Sequence, residues 1–261
     1  MSRVAIVTGA ARGIGAATVD ALVNDGYQVV AVDRCRDMPN VPYALATPAD
    51  LDAVVARHGD SVLGLVGDVR SASDMALAVE TAIRHFGRLD VVVAAAGIIV
   101  GGDALWNTSD AAWDAVWSVN VLGVRRLIDA AAPVLLQNDP STGGRIIAIA
   151  SAAGTKGHDK LAAYGAAKHA VVGMIRGVAM DLQGSSVTAN ALSPGSTRTA
   201  MLEASATIYG LESVEEFAVH QPVSRLLEPR EIAAAITWIA SPQSSALTGA
   251  NIAVDGGMTI T

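Results

Sequence analysis

The stretch Val4-Ala5-Ile6-Val7-Thr8-Gly9-Ala10-Ala11-Arg12-Gly13-Ile14-Gly15 decides how the chain folds. Val4–Val7 reads as a short buried strand, and Ile14 to Asp25 reads as a helix with small residues on its packing side. Gly9, Gly13 and Gly15 stand between and within them, at the spacing Gly-x-x-x-Gly-x-Gly. Glycine lets the backbone turn tightly and approach a pyrophosphate, whose charge meets the free N–H groups at the helix N-terminus. A plain connection between strand and helix would use the same turn, and 25 glycines offer accidental patterns. The strand–turn–helix context is what gives this turn its weight. Its spacing differs from Gly-x-Gly-x-x-Gly.

Outward from the turn, short β-branched runs alternate with helical patterns. Strands are expected at Val29–Val32, Val62–Val66, Val91–Ala95, Arg145–Ala150, Val187–Leu192 and Asn251–Val254. Helices are expected from about Ala72 to His85 (capped by Ser71), Asp110 to Leu136 in one long run, Leu161 to Gln183, and Glu228 to Ile239. The alternation predicts an α/β fold, a single domain with a doubly wound parallel sheet of about seven strands. Continuously apolar strands predict burial on both faces. Two segments exceed the βα rhythm. Arg34 to Asp60 carries Pro39, Pro42 and Thr47-Pro48-Ala49-Asp50, where Thr47 caps a helix running to about His58. Thr199 to Leu227 is apolar and helical in patches, as expected of a lid.

Composition narrows the function. The chain has 261 residues, 51% hydrophobic and 16% charged, which argues against disorder. Its net charge of -7 supplies no basic field for nucleic acid or an anionic membrane. The single cysteine, Cys35, cannot form a disulfide framework, and the five histidines show no ligand spacing, so no metal is expected. The longest uncharged apolar stretch, about Val91 to Val100, is shorter than the roughly 20 residues of a membrane span. No targeting segment is visible, and a soluble cytoplasmic protein is expected.

The chemistry is carried by Tyr164-Gly165-Ala166-Ala167-Lys168. A spacing of four puts both side chains on one helical face. A tyrosine titrates near 10 in water. A neighbouring ammonium favours its phenolate and makes it an acid/base for an alcohol or ketone. An isolated Tyr–Lys pair would be a surface feature, but Ser151 ends the fifth strand and Asn120 interrupts an apolar helix face.

With the glycine turn, Asp68, Ala94-Ala95-Ala96-Gly97, Asn120, Ser151, Tyr164, Lys168 and Asn190 through Pro194-Gly195 in order, nearly the whole chain resembles the short-chain dehydrogenase/reductase family. The resemblance implies a Rossmann fold. It makes Tyr164 the catalytic acid/base, while Lys168 holds the nicotinamide ribose and lowers the tyrosine pKa. Ser151 polarises the substrate oxygen, and Asn120 anchors a relay water. Gly9, Arg12, Gly13, Ile14, Gly15, Asp33, Arg34, Asp68, Val69, Ala95, Ala96, Gly97, Pro194, Gly195, Thr197 and Thr199 are expected around the cofactor. Asp33 closes the second strand, where a carboxylate accepts from an adenosine ribose and repels a 2′-phosphate, favouring NAD. Arg34 and Arg12 argue for NADP, since either can pair with that phosphate. Asp68-Val69 either covers the adenine or is ordinary loop. Ala94 and Ala95 replace family asparagines that brace the central sheet. Thr197 replaces an aliphatic residue.

Residues 42–51, Pro42-Tyr43-Ala44-Leu45-Ala46-Thr47-Pro48-Ala49-Asp50-Leu51, resemble the insertion of the mycofactocin-coupled, carveol-dehydrogenase-like branch. That resemblance implies a flap over the adenosine end, with Tyr43, Leu45 and Leu51 covering NAD that stays bound and is reoxidised by an external redox carrier. Ile98, Ile99, Ala153, His158, Met201, Leu202 and Tyr209 are expected to face a hydrophobic alcohol or ketone, with Arg198 nearby. His158 reads as a loop residue rather than a second base. The family's tetramer contacts would use the fourth and fifth helices and the last strand, with Ala166, Ala167, Ala170 and Gly173 permitting close approach. Two other readings stand beside this one. One is a freely exchanging NADPH carbonyl or acyl-thioester reductase, and the other is a cofactor-binding sensor or scaffold without turnover.

Overall fold

A computed structural model describes residues 2–260. Seven parallel strands form one sheet in the order β3-β2-β1-β4-β5-β6-β7. They are β1 Val4–Thr8, β2 Gln28–Asp33, β3 Val62–Val66, β4 Val91–Ala94, β5 Gly144–Ile149, β6 Val187–Pro194 and β7 Asn251–Val254. The strand order reverses between β1 and β4, whose register pairs Ala5 with Val91 and Thr8 with Ala94. In an open parallel sheet the crevice beyond the carboxyl ends at such a reversal is where ligands bind.

The period-2 geometry of the central strands splits the core in two. Ile6, Val30, Val92 and Ile146 face one layer, which holds helices α3 (Ala72–Phe86) and α5 (Leu122–Leu135). Val7, Val29, Val93 and Ile147 face the other, against α1 (Gly13–Asn24) and α8 (Pro229–Ala240). Both faces are apolar because both are covered. The edge strands depart from this expectation. β3 alternates, with Val66 61% exposed, and β7 is at most half-buried, because each has a neighbour on one side alone.

The first insertion folds as its capping residues direct. Thr47 Oγ1 accepts from Asp50 N at 3.3 Å, and Asp50 Oδ2 accepts from Thr47 N at 2.7 Å. With Pro48 at the first helical turn, this starts α2, Pro48–Ala56, which stops short of His58. Leu51 does not cover the cleft as expected. It packs with Cys35, Val54 and Val62 in the core under β2 and β3.

The long helix expected from Asp110 to Leu136 is two helices. α4, Asp110–Asn120, gives way to α5 at Val121, which stays right-handed but distorted at φ -108 and ψ -61. The irregularity has tertiary causes. Asn120 is fully buried and turns its amide onto the backbone of Ile98. At Gly123 any side chain would meet Val69 Cγ2 at 2.7 Å, so the first turn of α5 must lie against the loop after β3. α6 spans Ala162–Asp181, and α7, Ala200–Tyr209, builds the second insertion. On α6 the expected small-residue face holds only in part, since Ala166 and Gly173 are exposed but Ala167 is buried in the core.

Candidate active site

One cavity of about 820 Å³ opens beyond the carboxyl ends of the central strands. Every residue expected at the cofactor except Leu51 lines it, as do Ser151, Tyr164 and Lys168. Asn120 does not; it lies behind Gly97 and Ile98. The volume falls within the roughly 300–1,000 Å³ of small-molecule and cofactor sites.

The glycine turn forms the floor of the middle of the cleft. Gly9 has φ +67, and a Cβ there would lie 2.7 Å from Ala96 Cα. Only a glycine lets β1 and the β4 exit touch at this point. α1 opens at Arg12 without a capping side-chain bond and without an acid in its first turn. α2, α3, α4 and α7 are capped by Thr47, Ser71, Ser109 and Thr199, whereas α5 and α6 share the lack of a side-chain cap with α1, whose Gly13, Ile14 and Gly15 line the cavity. The first N–H groups of α1 are therefore left for an anion. Thr8 braces the exit of β4. Its Oγ1 accepts from Ala95 N at 3.2 Å and Ala96 N at 3.3 Å.

At the β2 end, Asp33 Oδ2 accepts from Ala11 N and Oδ1 accepts from Cys35 N, each at 3.1 Å. Arg34 Nε lies 3.1 Å from Asp68 Oδ2. Arg70 grips the same carboxylate, with Nη2 at 2.7 Å from Oδ2. Burial pushes the Asp68 carboxyl up, but hydrogen bonds and charge from Arg70, with Arg34 behind them, outweigh it and hold the pKa below the usual value.

The reacting end is built differently. Ser151 follows β5, while Tyr164 and Lys168 come from α6. Lys168 Nζ donates to Ile149 O at 2.8 Å and lies 5.7 Å from the Tyr164 ring centre. A Cβ on Gly97 would come 3.4 Å from Asn120 Oδ1 and 3.7 Å from Lys168 Nζ, which places these groups around one small space. Asn120 uses both ends of its amide on Ile98, accepting from its N and donating to its O at 2.9 Å each.

Titration here departs from the expectation that Lys168 lowers the tyrosine. Burial pushes Tyr164 up to about 12, against a lowering hydrogen bond with Ser151. Burial pushes Lys168 down to about 8. The ammonium spends its donor on a carbonyl, and desolvation dominates both groups. At neutral pH the pair is a protonated tyrosine beside a charged lysine.

The first insertion crosses the cleft. Arg12 Nη2 donates to Ala44 O at 2.9 Å, and Tyr43 Oη accepts from Ile99 N at 3.0 Å. Tyr43 thus packs beside Tyr164, Ile99 and Leu161 at the reacting end, not solely over the adenosine end. Burial raises its pKa. Ile98, Ile99, Ala153, His158, Met201, Leu202 and Tyr209 all line the cavity, as expected. Arg198 does not. It pairs with Glu215 and Glu228 on the outer side of the second insertion. Thr197 bridges to Leu227, and Thr199 caps α7. Lys156, Phe217 and Met258 also line the cavity and carried no sequence signal, because loops distant in the chain bring them there.

This fold and this arrangement of residues define a dinucleotide-dependent oxidoreductase. A family model described as enoyl-(acyl carrier protein) reductase matches residues 9–259. The chain belongs to the short-chain dehydrogenase/reductase family. It is similar to an uncharacterized oxidoreductase of Mycobacterium tuberculosis, 37% identical over 98% of this chain and 95% of the relative. It is also similar to (-)-trans-carveol dehydrogenase of Rhodococcus erythropolis, 32% identical over 99% of this chain and 98% of the relative. Among solved structures, carveol dehydrogenase from Mycobacterium avium in complex with NAD superposes with a TM-score of 0.92, at 28% identity over 99% of this chain and 98% of that one.

Proposed function

We propose that this protein is an NAD-dependent dehydrogenase that interconverts a hydrophobic secondary alcohol and its ketone. The carrying observation is one cavity that joins Asp33, the uncapped N-terminus of α1 and the Ser151–Tyr164–Lys168 constellation. NAD would supply the hydride acceptor and donor. Gly9, Gly13 and Gly15 with the first turn of α1 would hold its diphosphate, and Asp33 and Asp68 its adenosine end. Lys168, Gly97, Pro194, Gly195 and Thr199 would border its nicotinamide end.

Tyr164 holds the mobile proton. In the reductive direction its hydroxyl gives the proton to the ketone oxygen. In the oxidative direction the tyrosine first passes its own proton to a neutral Lys168 amine, and the phenolate oxygen then takes the alcohol proton. Ser151 holds the substrate oxygen and favours the tyrosine phenolate by hydrogen bonding. After reduction Lys168, beside Asn120, restores the proton to the tyrosine. The apolar wall of Ile98, Ile99, Ala153 and Leu202 suits a hydrophobic, terpene-like carbon skeleton, and burial there excludes water.

The closed insertion supports a tightly held cofactor reoxidised by an external carrier of the mycofactocin type. Bonds from Arg12 to Ala44 and from Ile99 to Tyr43 shut the cleft at two points. Assembly as a homotetramer through α4–α6 and β7 fits the incompletely covered edge strand, and the cytoplasm is the proposed location. Similarity to a 3-oxoacyl-[acyl-carrier-protein] reductase of Synechocystis supports the substrate class of a second reading, an NADPH-dependent acyl-thioester or carbonyl reductase that exchanges its cofactor. Mass spectrometry of protein purified without nucleotide and then denatured separates the two. Near-stoichiometric NAD(H) and turnover with an artificial electron acceptor are expected. Empty protein that cycles rapidly on free NADPH would sink the tight-NAD reading.

A further inference from the structure

We propose that Asp68 sets cofactor selectivity by withholding Arg34 from a 2′-phosphate, a role that rests on the NAD reading above. Arg34 directly follows Asp33 at the end of β2 and lines the cavity. The two residues pull in opposite directions. A carboxylate repels a 2′-phosphate, while a guanidinium is the side chain best shaped to bind one. Asp33 alone therefore does not decide the outcome.

The charges around Arg34 decide it. Its Nε lies 3.1 Å from Asp68 Oδ2, with the two side chains only 17% and 11% exposed. Away from water such a pair is screened little. Asp68 is itself fixed. Arg70 reaches Oδ2 through Nη2 at 2.7 Å and Oδ1 through Nε at 3.1 Å, and the Asp68 N–H donates to Asp74 Oδ2 at 2.9 Å. The carboxylate cannot swing away to release the arginine. Arg34 also feels Arg70, then Arg36 and Asp37; the two arginines oppose Asp68 and Asp37 adds to it, each less strongly than Asp68 acts.

Arg34 keeps donors to spare. Its Nε and Nη1 are both buried without a hydrogen-bond partner, so Asp68 holds Arg34 by charge at 3.1 Å and not by a hydrogen bond. A phosphate would satisfy those donors if the Asp68 carboxylate, which Arg34 shares with Arg70, did not already hold the cation. The other candidate, Arg12, donates to the Ala44 carbonyl in an exposed position, an interaction that carries no opposing charge. Arg34 is thus the cation whose state separates NAD from NADP, and Asp68 is the positioning residue that governs it.

The test equilibrates purified protein separately with NAD and NADP and compares dissociation constants by direct titration. Asp68→Asn keeps the side-chain shape and removes the charge. The ratio of NADP to NAD affinity is expected to rise about tenfold, the effect of one modest charge interaction. Any contact of Asp68 with the adenine cancels in that ratio, because both nucleotides carry the same adenine. The rise must vanish when Arg34→Ala is added. Arg70→Ala must not raise the ratio, since it leaves Asp68 to Arg34 alone. An unchanged ratio in Asp68→Asn, or an equal rise without Arg34, overturns the proposal. Should Asp68→Asn not fold, Arg34→Ala by itself decides. It must leave the ratio unchanged, and a fall would show that Arg34 already serves the phosphate. Wild-type protein that binds neither nucleotide would defeat the NAD reading instead.

Discussion

The two ends of the cleft are organised by opposite physics. At the end of β2, charged groups crowd together and each carboxylate is matched by partners: Asp33 by two backbone N–H groups, and Asp68 by Arg34 and Arg70. At the reacting end the chemistry rests on two buried side chains with no opposite charge beside them among the described residues. There desolvation moves the pKa values, up to about 12 for Tyr164 and down to about 8 for Lys168. Paired charges hold a fixed electrostatic pattern, which suits discrimination between two similar cofactors. Unpaired buried groups have labile protons, which suits a site that must pass one. The strain of an uncompensated lysine is tolerated where function needs it.

The largest effect should come from the reacting end. Tyr164→Phe keeps the ring and removes the transferable proton, so turnover should fall about 10²–10⁴-fold with NAD binding nearly unchanged. Retention of more than a tenth of wild-type activity would remove Tyr164 from the role of acid/base.

Next in size is the insertion that spans both ends. Shortening its loop between Pro39 and Leu45, which spares the core residues Leu51 and Val54 of α2, should release NAD and speed exchange. Covering even about 100 Å² of apolar surface is worth about 2.5 kcal/mol, nearly two decades in residence time when expressed in the off-rate. Tyr43→Phe, which removes the acceptor for Ile99 N, should shorten residence by a smaller factor, about fivefold for a single hydrogen bond. Nucleotide release followed by stopped-flow fluorescence measures both. Equal residence times in the shortened and intact proteins would show that the strap does not hold the cofactor.

The smallest effect concerns stability and sharpens the contrast most directly. Lys168 is a base whose pKa is depressed on folding, so the unfolded chain binds more protons between about pH 8 and its ordinary value of 10.5. Stability contributed at this site therefore rises with pH across that window and is lowest below it. Lys168→Met should abolish turnover yet raise Tm at pH 7 by about 2–4 °C per kcal/mol regained. Its Tm should also lack the wild-type rise from pH 8 to 10. Calorimetry across that range checks the sign. A variant that melts lower than wild type at pH 7 would mean that the bond to Ile149 O outweighs the cost of burying the charge.

Much of the site was legible before any coordinates. The glycine turn, the Tyr164–Lys168 spacing and the Thr47–Asp50 cap each lie within a few residues of chain, so local geometry dictates them. The break at Val121 was not legible, because its cause is the backbone of Ile98 and the side chain of Val69, both distant in sequence. Leu51 and Arg198 were misplaced for a related reason. Apolarity and charge say that a side chain wants burial or a partner, but not which of two surfaces provides it.

By itself, then, the order of residues determined the parallel sheet, the position of the phosphate turn and the identity of the groups that can move a proton. These follow from periodicities of two and 3.6 and from the chemistry of single residue types. Tertiary structure decided the rest: which arginine is neutralised, how far Tyr43 reaches across the cleft, and in which direction the tyrosine and lysine titrate. Those outcomes depend on distances and on exclusion of water between segments far apart in the chain. Coulombic and desolvation energies vary too steeply with both to be read from sequence spacing.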